Sequence, residues 1–225
     1  MNLVEAIVDY GRAKLTPTND WYAWKVINLA KLPDGVFLPV GNQYLLNVAL
    51  KLALSRIYAV GDDETKIALT HYYIVAWGGI RKNGSEKMRS YSLLEPKTLI
   101  LNGVKGIASW SKALCVRNPA MYAIYDARVS LALNCIQKIY QVDNPLLFPL
   151  LKGQNNAVNS GTKRIKQYAQ DNAWPVAPQE NFYSLYNATL TLAAIDLQVE
   201  IFTLEMLLFS LTLDLFAEAF PGQGI

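Results

Sequence analysis

Apolar residues recur at helical spacing over most of this chain, and almost nowhere at the two-residue period of a strand. Over residues 3–15 they fall at 3, 4, 7 and 8, one stripe of a helix that ends before Thr16-Pro17-Thr18-Asn19. Trp21, Trp24, Ile27 and Leu29 predict a second helix over 21–32, stopped by Pro33-Asp34-Gly35. Residues 42–58 are strongly periodic. Gly61-Asp62-Asp63-Glu64 reads as a loop and cap before a helix over 65–76. Trp77-Gly78-Gly79 ends that helix abruptly, since paired glycines let the backbone turn sharply. The leucine and aromatic stripes read as core. His71, the only histidine, sits on an apolar helix and reads as a packed residue.

Further along, residues 129–140 continue a helix, and Asn144-Pro145 starts an element that ends near Gly153. Residues 154–162 (QNNAVNSGT) are polar and asparagine-rich, a loop by composition. Lys163-Arg164-Ile165-Lys166 follows, as an exposed helix face or a second phosphate contact. Residues 174–178, with two prolines, form rigid linking chain. Residues 181–220 are the most apolar segment and read as one long or two stacked helices. Asp196/Glu200 and Asp214/Glu218, each pair four apart, mark its wet side, and the buried side faces the core or a partner. Strand and hairpin signals are scarce. The expected fold class is all-α, with residues 1–225 as a single domain.

Residues 101–134 carry the candidate chemistry. Gly103-Val104-Lys105-Gly106 is a glycine-permitted tight turn. A short helix is expected from Ser109 to about Cys115, with Ser109 or Ser111 available as its cap. Asn118-Pro119 breaks it, because the residue before a proline is pushed out of the α region. Ile124-Tyr125-Asp126-Ala127-Arg128-Val129 then opens another helix, with Asp126 near its N-terminus.

Turn, helix, break and acid-led helix together resemble the helix-hairpin-helix DNA glycosylase superfamily, and within it the 8-oxoguanine glycosylase fold. In the resemblance Gly106-Ile107-Ala108 stands for the family's Gly-Val-Gly turn, Lys112 for its lysine and Asp126 for its aspartate. Residues 124–129 resemble the Val-Asp-Tyr-Arg-Val segment of the archaeal branch. Ala108 replaces the second glycine, and no proline precedes the turn. The resemblance implies an all-α fold of two packed lobes with a cleft, and a glycosylase with lyase activity in base excision repair. Lys112 would attack the sugar as a free amine and form a Schiff base, and Asp126 would stabilise the cationic sugar. Such an enzyme extracts its base from the stack, and 8-oxoguanine is the default base. Gly103, Lys105, Gly106, Ser109, Trp110, Ser111, Arg81 and Arg128 are the expected DNA contacts, through backbone N–H groups, a helix dipole and cations. Lys105 is the rival nucleophile, in a turn better suited to phosphate. Asp126 also reads as a helix cap or an ion-pair partner of Arg128.

Charge sharpens the partner. Net charge is only +3, yet residues 81–117 hold eight basic side chains against two acidic ones, while residues 167–225 hold seven acids and no Lys or Arg. A basic middle of this kind suits phosphate, and equally a solvated surface. Cys115 and Cys135 show no CxxC spacing, so no zinc site, disulfide framework or four-cysteine iron–sulfur cluster is expected. One histidine leaves little room for histidine triads or metal hydrolases, and no cofactor is expected. Glu5 and Asp9 interrupt the N-terminal apolar pattern, and no run of 18 uncharged apolar residues occurs, so neither a signal peptide nor a membrane span is expected. A cytoplasmic protein fits these readings. Two alternatives stand beside the enzyme: a non-catalytic helix-hairpin-helix DNA-binding protein in a repair or defence assembly, and a helical interaction module using its C-terminal segment.

Overall fold

Short amide and carboxylate side chains start many of the helices. The Asn2 side chain accepts from the Glu5 N–H, and the Glu5 carboxylate accepts from the Asn2 N–H, a reciprocal cap that opens α1 (Leu3–Lys14). Asn42 caps α2 (Gln43–Val60), and Asp62 caps α3 (Asp63–His71). A π-helical turn, Tyr72–Trp77, continues α3. After it come α4 (Ser85–Leu93), α5 (Pro96–Ile100), α6 (Ile107–Arg117) and α7 (Ala127–Ile139). The chain closes with α8 (Asn156–Asp171), α9 (Phe182–Leu197), α10 (Ile201–Ser210) and α11 (Thr212–Ala219). The computed structural model describes residues 1–26 and 31–222, and among them no strand forms beyond an isolated parallel bridge between Leu147 and Val176. The class is all-α. No helix among the described residues is long and apolar enough to cross a membrane.

The chain divides into two compact units, Thr18–Ile124 and Met1–Pro17 with Tyr125–Ile225. In the first, α2, the π-helical turn and α6 enclose a core that includes Leu50, Leu54, Leu69, Tyr73, Trp77, Cys115 and Val116. The expected helix over 21–32 does not form in its described part: residues 21–26 are a turn and irregular chain, and Ile27 and Leu29 lie outside the described residues. Side chains of α2 take the bonds a helix would have made. Gln43 accepts from the Val26 N–H, and Asn47 donates to the Trp24 carbonyl. His71 is exposed at the end of α3, not packed.

In the second unit α7 is central, buried from Val129 to Gln137 and packed against α1, α8, α10 and α11. The segment after Asn144-Pro145 is irregular chain whose backbone is held by α7 side chains. Asn134 both accepts from the Phe148 N–H and donates to the Phe148 carbonyl, and Gln137 does the same for Leu146. From Asn156 onward the expected 154–162 loop is the first part of α8. Asn155 caps it by accepting from the Val158 N–H, so the asparagines that suggest a loop start a helix. The C-terminal apolar segment is three helices, α9 to α11, with Asp196, Glu200, Asp214 and Glu218 exposed and Glu205 buried.

Gly161 tests this packing. Within a helix alanine would be favoured by about 1 kcal/mol over glycine. Here an added Cβ would lie 2.7 Å from Leu131 Cδ2 and 3.1 Å from Phe216 Cδ2. Overpacking of that kind costs about 1–3 kcal/mol. Gly161→Ala should therefore lower the Tm by several degrees, measured by circular dichroism; an increase would show that α8 stands free of α7 and α11.

Candidate functional site

The stretch between α5 and α6 turns twice on glycine. Gly103 has φ 56° and Gly106 φ 74°, both in the left-handed region that side chains rarely adopt. The Lys105 N–H donates to the Asn102 carbonyl and the Ile107 N–H to Val104, which folds residues 101–106 into a tight hairpin. Among the described residues the N–H groups of Val104, Gly106 and Ala108 are given to no protein acceptor. All three residues are partly exposed, and they lie at the positive end of the α6 dipole. Such a cluster of N–H groups is a ready anion site. The turn ends at Gly106, which is the N-cap of α6, so Ile107 and Ala108 belong to the helix and not to a Gly-Val-Gly turn.

Lysines frame the hairpin. Lys105 projects from it and is exposed. Lys87, from α4, lies over the Tyr91 ring at 5.5 Å, and its Nζ would be 3.6 Å from a Cβ placed on Gly106. Sequence reasoning missed Lys87: its only signal was membership of the basic block, and tertiary packing brings α4 to the turn. Arg81 is exposed in the loop before α4. Asn83, in that loop, donates to Ser109 Oγ at 2.9 Å and fastens the loop to the first turn of α6.

Three expected DNA contacts are buried in the core. Ser109, Trp110 and Ser111 are buried inside α6, so they neither cap it nor present surface to DNA. The Trp110 indole N–H donates to the Lys105 carbonyl at 3.2 Å, which fixes the hairpin from beneath.

Lys112 is also buried, at 3% exposure. Its Nζ donates to the Ala108 carbonyl at 3.0 Å, one turn back along α6. The side chain lies against Gly78, where a Cβ would come within 2.9 Å of Lys112 Cε. The glycine after the π-helical turn therefore makes room for the lysine stem, a role for Gly78 that its sequence context did not reveal. Of the two rival lysines, only Lys112 is desolvated.

In the other unit, Asp126 is the N-cap of α7. Its Oδ1 accepts from the Arg128 N–H at 2.9 Å and the Val129 N–H at 3.1 Å. Arg128 lays its guanidinium over the Phe209 ring at 5.2 Å and is partly exposed. Tyr125 is fully buried and donates to the Pro149 carbonyl at 2.7 Å. Burial, with a smaller push from the Asp126 charge, raises its phenol well above the ordinary range, and burial does the same for Tyr186. Both stay neutral at physiological pH. Trp77 and Tyr125 are both core residues.

No protein-family model, curated protein or solved structure matches this chain. The hairpin itself is open to test. Gly106→Ala would place a Cβ at φ 74° and against the Tyr91 hydroxyl. A strained left-handed residue costs roughly 1–3 kcal/mol. Urea unfolding should show a loss of that order, and a neutral result would mean the turn adopts another conformation.

Proposed function

We propose that the chain is a DNA glycosylase with lyase activity, of the helix-hairpin-helix type, acting on a damaged or modified base in base excision repair. The helix-hairpin-helix glycosylase fold is part of this reading, and 8-oxoguanine is its default base through the family resemblance. One observation carries it: a glycine hairpin with unfilled N–H groups leads into a helix that holds a desolvated lysine. The first half supports phosphate binding. The second supports nucleophilic catalysis, because a lysine attacks only as the free amine and burial disfavours the ammonium.

In this mechanism the hairpin N–H groups and Lys105 hold a backbone phosphate, and Lys87 adds charge beside them. The Lys112 nitrogen attacks the sugar C1′, and the base departs with the electrons of the glycosidic bond. Loss of a proton from nitrogen and ring opening give the Schiff base, from which β-elimination breaks the strand. Positive charge that builds on the sugar is stabilised by the Asp126 carboxylate, whose position is fixed by its cap bonds to α7.

A second reading, DNA binding without catalysis, is favoured by the same burial of Lys112. An amine bonded to the Ala108 carbonyl must change rotamer before it reaches a sugar.

Phosphate binding predicts steep salt dependence, since each neutralised phosphate releases counterions. Lys105→Glu should weaken duplex binding by about 1 kcal/mol or more on any sequence and flatten the salt slope. Titrations by fluorescence anisotropy at several salt concentrations measure both. Salt-insensitive binding would remove DNA as the partner and leave the C-terminal helices, where α9 exposes Leu192 and Ile195, as a protein-facing surface.

Borohydride trapping separates enzyme from binder. On oligonucleotides bearing a panel of lesions, the chain should become covalently attached to DNA through Lys112. Lys112→Gln should abolish attachment and strand cleavage with affinity largely kept. Asp126→Asn keeps much of the cap and should slow base excision by roughly 10²-fold or more. Attachment that survives Lys112→Gln and vanishes in Lys105→Gln would move the nucleophile to the turn. No attachment on any lesion, with tight DNA binding, would establish the non-catalytic reading.

A further inference from the structure

A second buried lysine lies outside the proposed mechanism. Lys51, on α2, is 1% exposed, and its Nζ is 3.8 Å from the sulfur of Cys115, which is fully buried on α6. The ammonium also lies 5.9 Å from the ring centres of Tyr73 and Trp77. Those two rings stack at 4.4 Å with planes 13° apart, an alignment made by the π-helical turn that carries both. Asn47, one turn before Lys51, accepts from the Trp77 indole N–H at 2.7 Å and holds that ring in place. An amine and a thiol are thus fixed side by side, among aromatic faces and away from bulk water.

Two chemical facts make this more than packing. A cation beside a sulfur favours the thiolate, the form that peroxides oxidise. A cysteine sulfenic acid condenses with a backbone nitrogen to give a sulfenamide, and a lysine amine is a stronger nucleophile than an amide. Lysine carries its nitrogen on a flexible four-carbon stem, so the remaining distance can close by side-chain rotation.

We infer that Lys51 and Cys115 form an oxidative modification site, in which a hydroperoxide converts Cys115 to its sulfenic acid and Lys51 captures it as a covalent nitrogen–sulfur link. In the first step the sulfur attacks the peroxide O–O bond. One oxygen stays on sulfur; the other takes the ammonium proton of Lys51 and, from hydrogen peroxide, leaves as water, so that Lys51 becomes the free amine. In the second, the Lys51 lone pair attacks sulfur, the N–S bond forms and the S–O bond breaks. Hydroxide leaves with a proton from the nitrogen, as a second water. One peroxide is consumed, and the protein loses two hydrogen atoms. Capture by the adjacent amine protects Cys115 from further oxidation, and a small thiol reductant reverses the link. The link ties α2 to α6, the helix that also carries Lys112, and it does not depend on glycosylase activity.

The fold contains its own control. Cys135 is as fully buried as Cys115, and burial pushes its thiol up to about 12 against a lesser lowering by the Lys138 charge. The full chain is treated with hydrogen peroxide, digested without reductant and read by mass spectrometry. The expected product joins the peptides of Lys51 and Cys115 with the loss of two hydrogens, disappears on dithiothreitol treatment, and leaves Cys135 as a thiol. Lys51→Arg keeps the cation but offers no condensing amine. It should abolish the link and let Cys115 accumulate as a dimedone-reactive sulfenic acid. Should that variant misfold, Cys115→Ser provides the second test, in which peroxide causes no loss of hydrogen. Oxidation of Cys115 to the sulfinic acid without a link, or oxidation of both cysteines at the same rate, would overturn the proposal.

Discussion

Helix α6 is buried on nearly every side, from Ile107 to Val116 with only Ala108 partly exposed, and the structure of its unit follows from that constraint. A buried polar group without a partner costs about 1–3 kcal/mol, so those on this helix are answered by neighbouring elements or by the helix's own backbone. Ser109 is answered by Asn83, the Trp110 indole by the Lys105 carbonyl, and Lys112 by the Ala108 carbonyl. Cys115 faces Lys51, and Arg117 at the end donates to the Leu94 and Tyr91 carbonyls. These contacts bring α2, the loop before α4, the end of α4 and the hairpin into one arrangement around α6.

The other unit solves a similar problem around α7. Its buried amides, Asn134 and Gln137, provide a hydrogen-bonding edge for backbone that belongs to no helix or sheet. Ser130 adds a third point by accepting from the Leu151 N–H. An irregular segment can cross a helix here because side chains replace the missing ladder. In both units polar side chains inside the core set which irregular segment lies where, while apolar burial supplies the driving force.

The candidate chemistry depends on the same economy of space. Glycine at 106 lets the chain enter α6 from a left-handed turn, and glycine at 78 lets a lysine stem lie where a Cβ would block it. The π-helical turn before Gly78 rotates Tyr73 and Trp77 into a stacked pair beside a second lysine. A π-turn inserted in a helix is commonly found at functional sites, and here it adjoins both buried amines.

Periodicity and capping chemistry determined much of this protein by themselves. The all-α class, the extents of α1 and α2, the turn at Gly103–Gly106, the break at Asn118 and the cap at Asp126 are local matters, decided within a few residues. Tertiary structure decided where local signals were ambiguous. The tryptophan-rich stretch at 21–26 has helical spacing, but Gln43 and Asn47 of α2 compete for its backbone. The asparagine-rich stretch at 154–162 has loop composition, but one asparagine caps α8 and the glycine is a packing site against Leu131 and Phe216. The position of Lys87 beside the hairpin, the burial of Lys112 and the Lys51–Cys115 contact join residues far apart in the chain. Spacing along a sequence carries no record of such meetings, because they arise only when separate helices share one core.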